Sequence, residues 1–121
     1  MVLFDANMIL RYLLCDNREM AEQAARYLIE CDVGVTTEVI AEVVYVLKRA
    51  YALDRAEIAE YIHSFLDLVN CRNHDVVDLA VQTYGSHNLD FVDCVLYAYH
   101  RVEGVQIATF DRQLLKLIDK Q

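Results

Sequence analysis

The stretch V-L-F-D at residues 2–5 is a run of three apolar residues followed by an acid. A second run, V-G-V-T at residues 33–36, is rich in β-branched residues, and a third, V-Q-I-A-T at residues 105–109, comes shortly before Asp111. Short runs of this kind predict buried strands, and the polar residues 70–73 form a weaker candidate. The runs alternate with longer amphipathic segments, which is typical of an α/β fold with a parallel sheet.

The helices are predicted from apolar residues that recur at helical spacing. Asp54, three residues before Glu57, resembles a capping box at a helix start, and Gly104 is suited to end a helix. The predicted helical segments run from Met20 to Cys31, from Ile58 to Val69, from Asp75 to Gly85, from Phe91 to Glu103 and from Leu114 to Ile118.

Length and composition limit the class of protein. The 121 residues fit one domain, residues 1–121, and a hydrophobic fraction of 56% without proline argues against a disordered chain. We expect a cytoplasmic protein, because the N-terminus lacks a basic leader and no apolar run is long enough to span a membrane. The cysteines lack C-x-x-C spacing and are predicted to be reduced, buried thiols. They are Cys15, Cys31, Cys71 and Cys94.

The formal net charge of -8 is unusual for a protein that binds nucleic acid, because phosphate binding normally requires a surplus of Lys and Arg. A site built from carboxylates and divalent cations would change this locally, since the bound ions become its largest charges. The negative net charge therefore does not exclude an RNA substrate.

Three acids lie where strands are predicted to end or helices to begin. Asp5 follows the first strand and Asp111 the last, and ligands of parallel α/β sheets collect beyond the carboxyl ends of the strands. Each could instead cap a helix, although Asn7 could cap the helix after Asp5. Asp93 lies in the first turn of an apolar helix, where a carboxylate is costly unless it is paired or binds metal. Its neighbour Asp90 fits the N-cap position.

Glu42 lies within the helix that follows the second strand, and most of its neighbours are apolar. A buried ligand and a solvated stripe of Glu38, Glu42 and Arg49 fit this pattern equally well. Glu38 is the weaker ligand candidate, because an acid near a helix start is already favoured by the helix dipole.

A carboxylate cluster without neighbouring His or Cys ligands favours Mg²⁺ or Mn²⁺ over zinc. Two such ions can activate water and stabilise the leaving oxygen of a phosphodiester. Motifs for other chemistries are missing, including a Gly-rich phosphate loop, a nucleophile elbow and metal-ligand spacing among the histidines. The tyrosines are predicted to lie mostly in the core or an interface, not to serve as base-stacking platforms. They include Tyr45, Tyr51, Tyr97 and Tyr99.

Four motifs together resemble the PIN-domain family, and within it the VapC-like toxins of prokaryotic toxin-antitoxin pairs. They are V-L-F-D-A-N at 2–7, V-T-T-E-V-I-A-E-V-V-Y-V-L at 35–47, L-D-F-V-D-C-V-L-Y-A at 89–98 and I-A-T-F-D-R at 107–112. Their order and spacing extend the resemblance over nearly the whole chain. It implies a three-layer α/β sandwich in which helices flank a central parallel sheet of four to five short strands.

Position by position, the family's acidic cluster falls on Asp5, Glu42, Asp93 and Asp111. Asn7 and Thr109 match the polar residues that hold the first and last acids. The resemblance thus favours Glu42 over Glu38 and Asp93 over Asp90. It implies an endoribonuclease that uses Mg²⁺ or Mn²⁺, forms a homodimer and is inhibited by a cognate antitoxin protein covering the site.

Several alternatives stay open. A PIN nuclease could process RNA outside a toxin pair or cut DNA, and a PIN-like interaction module could be inactive, although all the motif acids are present. Phospho-receiver and dehalogenase-like domains also gather acids at strand ends. The dehalogenase-like motif would need a second Asp where this chain has Asn7, and a receiver would need a Lys after a late strand.

Overall fold

The computed structural model describes residues 1–120 and has an α/β architecture with seven helices and a three-stranded parallel sheet in that range. The elements in chain order are β1 (Val2–Leu3), α1 (Ala6–Leu14), α2 (Arg18–Glu30), β2 (Val33–Val35), α3 (Thr37–Arg49), α4 (Arg55–Leu66), β3 (Asn70–Cys71), α5 (His74–Ser86), α6 (Phe91–Glu103) and α7 (Arg112–Asp119). None of the helices is both long and apolar enough to cross a membrane.

The sheet has β2 at its centre, with β1 and β3 on either side. Val2 pairs with Val33, and Gly34 pairs with Asn70. All residues of β2 are buried, as expected for a central strand covered by helices. Because the strands are parallel, their carboxyl ends share one edge of the sheet. Asp5 and Thr36 lie at this edge and begin α1 and α3.

The predicted strand at residues 105–109 is wrong. This segment forms no strand, so the sheet has three strands instead of the predicted four to five. Val105, Gln106 and Ala108 are exposed, so the segment gains little of the side-chain packing that stabilises a strand. By contrast, the weak prediction near Asn70 is confirmed, because the backbone of this polar segment pairs with β2.

The helix predictions that rest on local signals are confirmed. In α4 the Glu57 backbone N–H donates to Asp54 Oδ1 at 2.8 Å and the Asp54 backbone N–H donates to Glu57 Oε1 at 3.4 Å, which completes the capping box. Helix α6 has the predicted bounds and ends at Gly104, whose φ of 71° lies in the left-handed region that favours glycine.

The core lies between the sheet and the helices and is filled by aliphatic and aromatic side chains. Ile40 and Leu47 of α3, with Ile62 and Phe65 of α4, are almost completely buried. The helices α4 and α5 approach so closely that a Cβ added at Gly85 would meet the neighbouring helix. This core fixes α3 and α6, which carry two of the predicted site acids.

All four cysteines are free thiols, in agreement with the prediction that they are reduced. Cys94 is buried, and its burial raises the pKa of its thiol to about 12. The expectation that every cysteine is buried is wrong for Cys15 and Cys31, which are exposed because they lie just beyond the ends of α1 and α2.

Candidate active site

Asp5 is the N-cap of α1. Its Oδ1 accepts a hydrogen bond from the Met8 backbone N–H at 2.9 Å, and the residue is exposed. The expectation that Asn7 caps this helix is wrong, because Asn7 already lies inside its first turn. Only Oδ1 is used by the cap; within residues 1–120, Oδ2 of Asp5 accepts no hydrogen bond. One carboxylate oxygen thus stays available at the carboxyl edge of the sheet.

Asp111 is the N-cap of α7, and hydrogen bonds with Thr109 and Leu114 hold it in place. Its Oδ1 accepts from the Leu114 backbone N–H at 2.9 Å, and its own backbone N–H donates to Thr109 Oγ1 at 3.0 Å. Leu114 is completely buried and anchors the helix. Asp111 is therefore positioned by a cap and an anchored helix, in place of the strand that the sequence predicted.

Asp93 lies in the first turn of α6 and is half-buried. Burial raises the pKa of the Asp93 carboxyl, and the nearby negative charges of Asp111 and Asp90 raise it further. Asp90 occupies the N-cap position as predicted, but its side chain makes no capping hydrogen bond. The starts of α6 and α7 thus bring like charges together around a partly desolvated carboxylate.

Glu42 is exposed on α3, as is Glu38. The surroundings of Glu42 are those of the solvated-stripe alternative and not of a buried ligand. Among residues 1–120 no three His, Cys, Asp or Glu side chains form a ready group for a metal ion. Among the predicted site acids, Asp93 is affected by the charges of Asp111 and of the neighbouring Asp90.

Arg55, at the start of α4, orders the loop that leads into the site. Its Nη1 donates to the backbone carbonyl oxygens of His87 and Leu89, at 2.7 Å each, and to that of Tyr84 at 3.2 Å. These bonds hold the segment that ends at Asp90. The sequence contains no signal for this role of Arg55, because the bonded residues lie 29 to 34 positions further along the chain.

The side chains at this site suit a hard divalent cation by their chemistry. Carboxylate oxygens are the preferred protein ligands of Mg²⁺ and Mn²⁺. A cation beside Asp93 would also offset the repulsion between its carboxylate and the charges of Asp111 and Asp90. The donor chemistry therefore fits such an ion.

In a comparison with known families, the model of the PIN domain matches residues 2–120, almost the entire chain. No curated protein and no solved structure is significantly similar to the chain. PIN domains are generally nucleases, which are hydrolases that act on nucleic acids and typically use divalent metals. The extent of the match, together with the α/β fold, shows that this chain belongs to the PIN domain family.

Proposed function

We propose that the protein is a metal-dependent endoribonuclease whose catalytic carboxylates are Asp5, Glu42, Asp93 and Asp111. The observation that carries the proposal is the environment of Asp93, where burial and the charges of Asp111 and Asp90 together disfavour the ionised carboxylate. Such an arrangement disfavours the ionised carboxylate, and carboxylates with perturbed pKa values are concentrated at functional sites. A carboxylate that only caps a helix would not need to be partly buried beside other negative charges.

In this proposal Asp93 and Asp111 would hold the divalent cation. Asp5 and Glu42 are included because the motif resemblance places them in the same acidic set, with Glu42 contributing from the exposed face of α3. The Thr109 hydroxyl accepts a hydrogen bond from the Asp111 backbone N–H. Asn7 follows Asp5 by two positions in the first motif. If Mg²⁺ or Mn²⁺ were bound, as one ion or as a pair, it would act as a Lewis acid toward the phosphate and would lower the pKa of water. The carboxylates would hold the ion, and no side-chain nucleophile would be needed.

We further propose that the protein is the toxin of a cytoplasmic toxin-antitoxin pair and acts as a homodimer. The motif resemblance to VapC-like toxins supports this role. The net charge of -8 also favours a basic partner, because complementary charge speeds association and selects the partner. A short reading frame for a basic protein directly upstream of the gene would support an antitoxin, and its absence would favour a housekeeping nuclease.

The test of the nuclease proposal is a cleavage assay on matched substrates. Purified full-length protein with Mn²⁺ or Mg²⁺ should cut end-labelled single-stranded RNA and leave DNA of the same sequence largely intact. Chelator should stop the reaction and added metal should restore it, because the carboxylates depend on the ion for charge. Failure to cut any of a varied set of RNAs would contradict the proposal, and equal cutting of DNA would replace it with a general nuclease.

A further inference from the structure

A groove of about 530 Å³ is lined by residues of α3 and of the start of α6, and Asp93 is the proposed site acid that lines it. Ala41, Val44 and Phe91 contribute apolar surface to it, and Asp93 lies along its α6 side. The opposite side is formed by the last two turns of α3. A substrate bound in the groove would therefore reach the carboxylate that the proposed reaction requires.

The α3 side of this groove carries Tyr45, Lys48 and Arg49, and all three residues are exposed. Tyr45 is 60% exposed, so it does not lie in the core of this chain, while the predicted interface position stays a prediction. The Arg49 guanidinium carbon lies 5.4 Å from the centre of the Tyr45 ring, within the range of a cation-π interaction. An exposed aromatic ring and two cations thus form one continuous surface.

The cations of this surface have no acidic partner within the described residues, unlike Arg11 and Arg18. Arg11 and Arg18 form salt bridges with Asp16 and Glu22. In the part of the chain that the structure describes, Lys48 and Arg49 form no salt bridge and no side-chain hydrogen bond. The chain has 11 Lys and Arg against 19 Asp and Glu. Two cations without an ion pair beside an acidic site are therefore opposite in sign to the net charge of the protein.

We propose that Tyr45, Lys48 and Arg49 bind a single strand of the RNA substrate next to Asp93. Lys48 and Arg49 contact backbone phosphates, and one unpaired base stacks on the Tyr45 ring. Positive grooves with exposed aromatic rings bind single strands in this way, because the base faces are free only when they are not stacked within a duplex. The proposal rests on the proposed nuclease function and adds the surface that receives its substrate.

Binding is measured without cleavage, on full-length protein in chelator with a short fluorescent single-stranded RNA. The double variant K48Q/R49Q should weaken binding about tenfold and lower the slope of log affinity against log salt by about 1.4, since each single-strand phosphate contact contributes about 0.7. Tyr45→Ala should weaken binding by about tenfold, whereas Tyr45→Phe, which keeps the ring, should not. The same strand in a duplex should bind more weakly to the wild type.

The matched control is R18Q/R26Q, which removes the same charge from the exposed side of α2, away from the groove. It should change affinity less than about twofold if local contacts, and not net charge, govern binding. Equal affinities of K48Q/R49Q and this control would overturn the proposal, as would a wild type that does not bind RNA. Unchanged RNA affinity with an altered sedimentation coefficient would assign the groove to an interface between copies instead.

These outcomes separate the groove from the proposed chemistry. A wild type that binds RNA through the groove but never cuts it would contradict the nuclease proposal alone. A wild type that cuts RNA, with K48Q/R49Q binding and cutting equally well, would contradict the groove alone.

Discussion

Asp93→Asn should lower RNA cleavage by roughly 100-fold or more. Loss of a residue that only orients a metal ligand already costs up to about 100-fold in activity, and Asp93 is proposed to bind the metal directly. Asn has the size of Asp but lacks the charge that a divalent cation requires. The rate is measured with Mn²⁺ in excess, and circular dichroism checks that the variant is folded. Undiminished cleavage would remove Asp93 from the site.

The same substitution should raise the thermal stability of the metal-free protein at neutral pH. Burial, followed by the charges of Asp111 and Asp90, raises the pKa of Asp93 in the folded state above its ordinary value of 3.8. Between the unfolded and folded pKa values the native state binds more protons, so stability falls as pH rises through this window. Below pH 3.8 both states are protonated and the charge effect disappears.

Melting curves in chelator across pH test this sign. Asp93→Asn should melt above the wild type at neutral pH, and the advantage should vanish in acid. Added Mn²⁺ should raise the melting temperature of the wild type more than that of the variant, because a ligand stabilises the state that binds it. A variant that melts below the wild type at neutral pH without metal would show that Asp93 stabilises the fold.

Asp5→Asn and Asp111→Asn should also lose cleavage by roughly 100-fold while keeping their helix caps. Asn caps helices about as well as Asp, so the bonds from the Met8 and Leu114 backbone N–H groups can form in both variants. Asp5→Ala and Asp111→Ala remove both functions and should cost about 1 kcal/mol of stability each. The amide and alanine pairs therefore separate capping from catalysis.

Denaturant unfolding and RNA cleavage are compared on the same preparations. Asn variants that are as stable as the wild type but inactive would show that Asp5 and Asp111 act in the site as well as in the helix caps. Full activity in both Asn variants would show that these acids serve only as caps.

Local signals in the sequence predict local structure well. The bounds of α6 follow from an apolar run and Gly104, and the start of α4 follows from Asp54 and Glu57. The strand at residues 105–109 fails because pairing depends on a distant edge that no local pattern specifies. The opposite case is Asn70–Cys71, a polar segment that is a strand because β2 lies beside it.

The sequence predicts only part of the site, because some of its contacts join residues that are distant in the chain. Asp111 and Asp93 are associated in the structure, although a cap, and not a strand, positions Asp111. The helix patterns in which the tyrosines lie predict a core or interface position, and Tyr45 does not lie in the core. Its position three residues after Glu42 and four before Arg49 places it on the exposed stripe of α3. Arg55 could not be found, because its hydrogen bonds reach residues distant in the sequence.

We propose that the four carboxylates form one metal-binding hydrolytic centre. Equilibrium dialysis of Mn²⁺ against wild-type protein and the quadruple variant D5N/E42Q/D93N/D111N tests this most directly, with circular dichroism to confirm folding. The wild type should bind Mn²⁺, and the folded quadruple variant should lose this binding. Equal Mn²⁺ binding by both proteins would contradict this proposal.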